Sequence, residues 1–219
     1  MIINKLTNFL YWFLRYFVQW YICGKYKVKT YNKEKLPKKY KGGYIIACNH
    51  QSYTDPPAVS ACVKGRFAFM AKIELFQKNI FFALIIKIAG AFPVERGAGD
   101  HSVIDKSVDY LKKGRILVIF PEGTRSKDGT IGRAKSGVAM IAAKANAPVL
   151  PVCIMYGLDK TSKKKSLDLI VGDMIEASEI AISEDGDRRE LKRVSERIIN
   201  SIKDLQKQIL QIRGVKTDE

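Results

Sequence analysis

Tyr44-Ile45-Ile46-Ala47-Cys48-Asn49-His50-Gln51-Ser52-Tyr53-Thr54-Asp55-Pro56-Pro57 runs from an unbroken apolar segment through a short polar loop into a pair of prolines. An apolar run without alternation is what a strand covered on both faces requires. Pro56 drives Asp55 out of helical geometry and suits the first position of a helix. The stretch therefore reads as strand, constrained loop and helix, the repeating unit of α/β folds. Inside the loop stand His50 and, five residues on, Asp55, whose side chains could meet across it. The chain has only two histidines, so a base able to titrate near neutral pH has few places to be. Two readings follow. The pair is a general base with its orienting carboxylate, or Asp55 merely N-caps a helix over 56–64. The loop by itself leaves both open.

Outward from this stretch, strand-like apolar runs recur at 27–31, 67–71, 91–94, 116–120, 149–155 and 167–171. Helix-like segments lie between them, at 56–64, 79–88, 102–113 and 134–145. The alternation predicts a single α/β domain with a mostly parallel central sheet flanked by helices. Ile116-Leu117-Val118-Ile119-Phe120 is continuous in the same way as 44–48. Near the carboxyl end, Leu191, Val194, Ile198, Ile202, Leu205, Ile209 and Ile212 recur at three-to-four spacing, predicting one long amphipathic helix over 190–213. Its charged face is assigned to solvent and given no catalytic role.

At 219 residues the chain is one globular domain, with room for a terminal appendage. Its 38 Lys and Arg against 22 Asp and Glu give a formal charge of +16, a surface that attracts polyanions. The amino terminus favours a membrane over nucleic acid. Residues 2–22 carry Phe9, Tyr11, Trp12, Phe13, Tyr16, Phe17, Trp20 and Tyr21, while Lys5 and Arg15 break the run well short of the ~18–20 apolar residues of a spanning helix. On a helix, Asn4, Asn8, Arg15 and Gln19 share one narrow stripe, which suits a helix lying in the membrane interface. A signal peptide fits less well, since Arg15 interrupts the apolar run and no small-residue cleavage site follows.

Lys25, Lys27, Lys29, Lys33, Lys35, Lys38, Lys39 and Lys41 come next, opposed only by Glu34. Each lysine near an anionic leaflet contributes about 1 kcal/mol. The expectation is an aromatic-rich amphipathic membrane helix over 1–26 followed by an α/β domain over 27–219. Positive-inside logic puts the domain on the cytoplasmic face of the cell membrane, monotopic or peripheral. The alternative is a terminal helix packed on its own domain.

Ligands of α/β sheets gather beyond the carboxyl ends of strands. Here those ends carry His50, Lys72, Glu95-Arg96-Gly97 and Pro121-Glu122-Gly123-Thr124-Arg125-Ser126. Arg96 and Arg125 offer forks for a phosphate, Gly123 permits close backbone approach, and Thr124 and Ser126 supply hydroxyls. Other chemistries lack their residues. Lys135-Ser136 has no P-loop glycine before it, Gly97-Ala98-Gly99 has Ser102 where a third glycine belongs, and there is no Gly-x-Ser-x-Gly elbow. Cys23, Cys48, Cys62 and Cys153 are scattered, without metal spacing, and read as reduced thiols. No metal is expected.

Asn49-His50-Gln51-Ser52-Tyr53-Thr54-Asp55 resembles the His-x4-Asp block of the glycerolipid acyltransferases. Gly90-Ala91-Phe92-Pro93-Val94-Glu95-Arg96 is similar to their second block, with Pro93-Val94-Glu95 in place of the usual Ile-Asp type sequence. Phe120-Pro121-Glu122-Gly123-Thr124-Arg125-Ser126 is similar to the third, and Val149-Leu150-Pro151-Val152 to the fourth. Lys72 and Lys135 also fall where that family tends to have lysines. The blocks occur in family order over about half the chain.

The resemblance implies transfer of a fatty acyl group from acyl-CoA or acyl carrier protein to the free hydroxyl of a lysophosphatidate, with no cofactor beyond the acyl thioester. It assigns His50 as general base and Asp55 as its orienter. Lys72, Arg96 and Arg125 would clamp the phosphate, and Glu122 would orient those cations or bind a substrate hydroxyl. Gly123 and Thr124 complete the substrate site, and backbone amides near Gly123 are one guess for the oxyanion. The segment 80–86 would line an acyl channel, touch the bilayer or form a buried core helix. The competing readings are an acyltransferase for another lysophospholipid, or a non-catalytic basic protein bound to a membrane or to nucleic acid.

Overall fold

The computed structural model describes residues 2–38, 42–94, 101–158, 165–183 and 187–215. Among the described residues seven strands form one sheet: β1 (Tyr26–Tyr31), β2 (Tyr44–Cys48), β3 (Phe67–Lys72), β4 (Ala91–Val94), β5 (Ile116–Ile119), β6 (Val149–Leu158) and β7 (Lys165–Val171). Their order is β1-β7-β6-β2-β5-β3-β4, and among the described residues every pairing is parallel except β6 with β7. The helices are α1 (Ile2–Lys25), α2 (Asp55–Cys62), α3 (Glu74–Gln77), α4 (Ile80–Ile88), α5 (His101–Lys112), α6 (Gly137–Ala145) and α7 (Arg188–Ile212). The single α/β domain expected from the alternation is the one found.

Successive strand residues point to opposite faces, and the unbroken apolar runs feed two cores. Ile45, Ala47, Leu117 and Ile119 pack with α5, α6 and the inward stripe of α7: Val194, Ile198, Ile202, Leu205 and Ile209. Tyr44, Ile46, Cys48, Ile116 and Val118 pack with Ala58 and Val59 of α2 and Ile22 of α1. β2 is buried along its whole length, which accounts for its lack of alternation.

The helix expected at the amino terminus is present, and it docks on its own domain. Tyr11, Arg15 and Ile22, at helical spacing, are buried. The Tyr11 hydroxyl donates to the Gly65 carbonyl at 2.9 Å and accepts from the Phe67 N–H at 3.0 Å. Arg15 donates to the Val63 carbonyl at 2.7 Å, placing its cation at the carboxyl end of α2, where a helix favours positive charge. Arg15 therefore does not sit on a water-facing polar stripe. The outward face is aromatic instead: Phe9, Phe13, Tyr16, Phe17, Trp20 and Tyr21 are all exposed. No helix among the described residues is long and apolar enough to cross a membrane.

α4 is started by Asn79, whose side chain accepts from the N–H groups of Phe81 and Phe82. It touches α1 and leaves Ile80, Phe81, Phe82, Leu84 and Ile85 exposed. The buried-core reading of 80–86 is therefore excluded.

Candidate active site

β2, β5 and β3 are neighbours in the sheet and run parallel, so the segments after them emerge side by side. This brings together His50, the loop 120–126 and Lys72. The loop after β2 is fixed at both ends. Asn49, buried, accepts from the Ile154 N–H at 2.8 Å and donates to the Ile154 carbonyl at 2.9 Å, so its amide extends the bond between β2 and β6 by one side chain. At the other end Asp55 opens α2, with prolines filling positions whose N–H groups have no helical partner.

The Asp55 carboxylate turns back over its own loop. Oδ2 accepts from the Gln51 and Ser52 N–H groups, each at 2.7 Å, and lies 2.7 Å from His50 Nδ1. It makes no bond to the amides of α2, so the helix-cap reading fails and the His50–Asp55 pairing stands as geometry. Since Asp55 faces donors on every side, Nδ1 is the nitrogen that carries the proton, which leaves Nε2 with a lone pair for a substrate. Asp55 is 0% exposed and the His50 side chain 13% exposed. The imidazole stacks on Phe120, ring centroids 4.1 Å apart, which fixes its plane. Tyr156 of β6 donates to Asp55 Oδ1 at 2.6 Å. Burial, and after it the Asp55 charge, pushes the Tyr156 phenol far above its usual range, so it stays a donor.

Glu122 is buried and ties two loops together. Its carboxylate accepts the His50 N–H at 2.9 Å and the Gly132 N–H at 3.1 Å. The Ser126 N–H in turn donates to the His50 carbonyl at 2.8 Å. Gly123 has a φ of +69°, and a side chain there would meet Lys135, whose Cδ, Cε and Nζ come within 2.9 Å of the Cβ position. The Gly123 N–H is committed to the Phe120 carbonyl at 3.0 Å, so that amide is not a free oxyanion donor. Arg125 and Thr124 are exposed, and the Arg125 guanidinium lies 3.6 Å from the centroid of the Tyr53 ring. Arg96 lies outside the described residues, as do Glu95, Lys39 and Lys41.

His50, Tyr53, Gly123, Thr124 and Arg125 line one cavity of about 1220 Å³. Its polar end carries His50, Lys72, Arg125, Ser126 and Lys135. Its walls then follow β3 back from Lys72 to Phe67, a distance of roughly 17 Å at strand rise. Along that course they are almost wholly apolar: Leu14 and Val18 of α1, Phe69 and Met70 of β3, and Phe82, Ile85 and Ile86 of α4. The buried thiols are no candidates for a nucleophile. Burial pushes Cys153 up to about 12, and burial, with the Asp55 charge next, raises Cys48 well above its ordinary value.

The family described as Acyltransferase matches residues 27–155. A 1-acyl-sn-glycerol-3-phosphate acyltransferase of Bacillus subtilis (strain 168) is 32% identical over 188 residues, covering 84% of this chain and 91% of the relative. The enzyme of that name from Streptococcus pneumoniae is 32% identical over 154 residues, covering 68% of this chain and 56% of the relative. Among solved structures, the 1-acyl-sn-glycerophosphate (LPA) acyltransferase PlsC from Thermotoga maritima superposes with a TM-score of 0.66 at 25% identity, over 93% of this chain and 83% of that one.

Proposed function

This chain belongs to the acyltransferase family, and we propose that it moves a fatty acyl group from a thioester to the free sn-2 hydroxyl of 1-acyl-glycerol-3-phosphate, making phosphatidic acid. One observation carries the reading: a His–Asp pair opens onto a long apolar cavity whose mouth is ringed by cations. An acyl chain needs such walls, a phosphate needs such a rim, and a hydroxyl needs a base before it attacks. The names of the relatives at 32% identity support the same acceptor.

In this reading the acceptor phosphate lies against Arg125 and Lys72, with Lys135 beside them and Arg96 assigned by its motif. The hydroxyl then reaches His50. As its oxygen bonds to the thioester carbonyl carbon, His50 Nε2 takes the proton, a step worth typically ~10²–10⁴-fold. Asp55 keeps the imidazole in the required tautomer and stabilises the imidazolium. Collapse of the tetrahedral intermediate breaks the C–S bond, and the imidazolium returns the proton to the departing thiolate. An ester and a free thiol leave. No further cofactor enters this balance, and the donor is acyl-CoA or acyl carrier protein.

The exposed aromatic face of α1 and the exposed apolar face of α4, two helices in contact, are of the kind that seats in a lipid headgroup layer. Lys27, Lys29, Lys33, Lys35 and Lys38 follow α1 in the chain and favour an anionic leaflet. On this basis the enzyme works as a monotopic or peripheral protein on the cytoplasmic face of the cell membrane.

The test is release of free thiol from acyl-CoA and from acyl carrier protein, with lysophosphatidate in micelles, by wild type and by His50→Ala. Wild type is expected to release thiol with at least one donor, and the variant is expected to lose about two orders of magnitude or more. Silence of the wild type with both donors overturns the reaction. An undiminished variant overturns the assigned base.

A further inference from the structure

We propose that Tyr156 is a positioning residue of the His50–Asp55 pair, which it serves by holding the outer oxygen of the Asp55 carboxylate. β6 runs parallel to β2, with Val152 opposite Cys48, so Tyr156 stands beyond the end of β2 and over the loop that carries the pair. Its ring packs against Tyr26 at the head of β1, with centroids 5.6 Å apart, and its hydroxyl donates to Asp55 Oδ1 at 2.6 Å. A fully buried carboxylate must find partners for both oxygens. Oδ2 has the imidazole and two loop amides, whereas among the described residues Tyr156 is the partner found for Oδ1.

Two consequences follow from that division. The bond to Oδ1 stops the carboxylate from swinging about its Cβ–Cγ bond, so Oδ2 stays on Nδ1. It also withdraws negative charge from Oδ2, which limits how tightly that oxygen holds the Nδ1 proton. The ionisable groups around the pair are Cys48 on β2, Cys153 on β6, Tyr26 on β1, Glu122 after β5, and Lys72, Arg125 and Lys135 at the cavity mouth. Burial pushes the Cys48 and Cys153 thiols up, so they do not change state with the pair at neutral pH, and Tyr26, Glu122 and the cations are present equally in wild type and variant. A difference between the two thus isolates the Tyr156 hydroxyl.

The variant is Tyr156→Phe, which keeps the ring on Tyr26 and removes only the donor. The kinetic arm rests on the acyl-transfer reading. There kcat should fall about tenfold, because a carboxylate free to turn holds the imidazole in its productive orientation less of the time, with KM for the acceptor little changed. The acid limb of the kcat–pH profile should move to higher pH, because the unrelieved carboxylate holds the proton more firmly.

The second arm needs no activity. The low-field imidazole N–H proton of His50, assigned with His50→Gln, should move further downfield in Tyr156→Phe while the melting temperature stays close to wild type. An unmoved resonance in the folded variant overturns the proposal whatever the enzyme's substrate. An unmoved pH profile with a uniform loss of stability also overturns it, because that is what a merely structural contact would give. If the resonance moves and no thiol is released even by wild type, the positioning role stands and the reaction reading falls.

Discussion

Replacing Asp55 by asparagine separates its charge from its shape. Oδ2 accepts the His50 Nδ1–H and the Gln51 and Ser52 backbone N–H groups, while among the described residues Oδ1 accepts only the Tyr156 hydroxyl. An asparagine can therefore place its carbonyl at the Oδ2 position and keep all three donors. Its amide then faces Tyr156, whose hydroxyl can rotate to accept. The geometry survives and the negative charge does not. With the charge centres about 4 Å apart, a unit pair is worth about 4 kcal/mol at an effective dielectric of 20. The 0% exposure of Asp55 argues against a value nearer that of water. At 1.36 kcal/mol per tenfold, loss of this attraction for the developing imidazolium predicts a fall in kcat of about three orders of magnitude.

Asp55→Ala differs in kind. It leaves the His50 and Tyr156 donors and the loop amides without their acceptor, and burying unmet donors costs about 1–3 kcal/mol each. That variant should be both inactive and several kcal/mol less stable. The assay is thiol release for kcat and KM, beside denaturant unfolding. An Asp55→Asn protein of wild-type stability that keeps more than a tenth of kcat refutes the electrostatic role.

Changing Phe9, Phe13 and Trp20 together to serine should cut flotation with phosphatidylglycerol vesicles at least tenfold, since burying each aromatic contributes about 1.5–3 kcal/mol, and leave the melting temperature unchanged because all three are exposed. Equal flotation would rule out this face as the anchor. Alkaline stability should depend on the buried thiols: burial pushes Cys62 up from 9.0 to about 11 and Cys153 to about 12. Below about 9 these thiols are protonated in both states; above it the unfolded chain ionises first, so the stability they contribute is lost as pH rises toward about 11–12. Wild type should therefore lose more stability between pH 9 and 11 than Cys153→Ala does, a comparison that cancels the shared titration of the lysines. Equal losses would contradict the burial.

The fold was legible because its strands announce themselves locally. Unbroken runs such as 44–48 and 116–119 have no reading but a strand covered on both sides, and the two cores on either face of the sheet bear this out. The antiparallel entry of β7 left no such mark, since an apolar strand reads the same in either direction. The helix over 2–25 was legible as a helix but not in its orientation. A polar stripe through Arg15 implied that this side met water, yet the carbonyl at the end of α2 gives the guanidinium a partner inside the protein. Periodicity locates a stripe; only the neighbouring element decides which way it faces.

The site divides along the same line. His50 and Asp55 are five residues apart on one constrained loop, so their meeting was a matter of local geometry and could be proposed from the residues themselves. Lys72 and the loop 120–126 required only that parallel strands end on the same edge. Asn49 and Tyr156 required more. Asn49 bonds Ile154 across 105 positions and Tyr156 bonds Asp55 across 101. Both contacts exist because β6 is inserted beside β2, an order that nothing in either segment states. A tyrosine near the end of an apolar strand looks like any other half-buried ring. What distinguishes Tyr156 is that the register of β6 against β2 carries its hydroxyl past the last paired residue, to the one oxygen of Asp55 that the loop amides and the imidazole leave open. The residues proposed to do the chemistry are thus encoded in short motifs, whereas the residue proposed to hold them still is encoded in strand order.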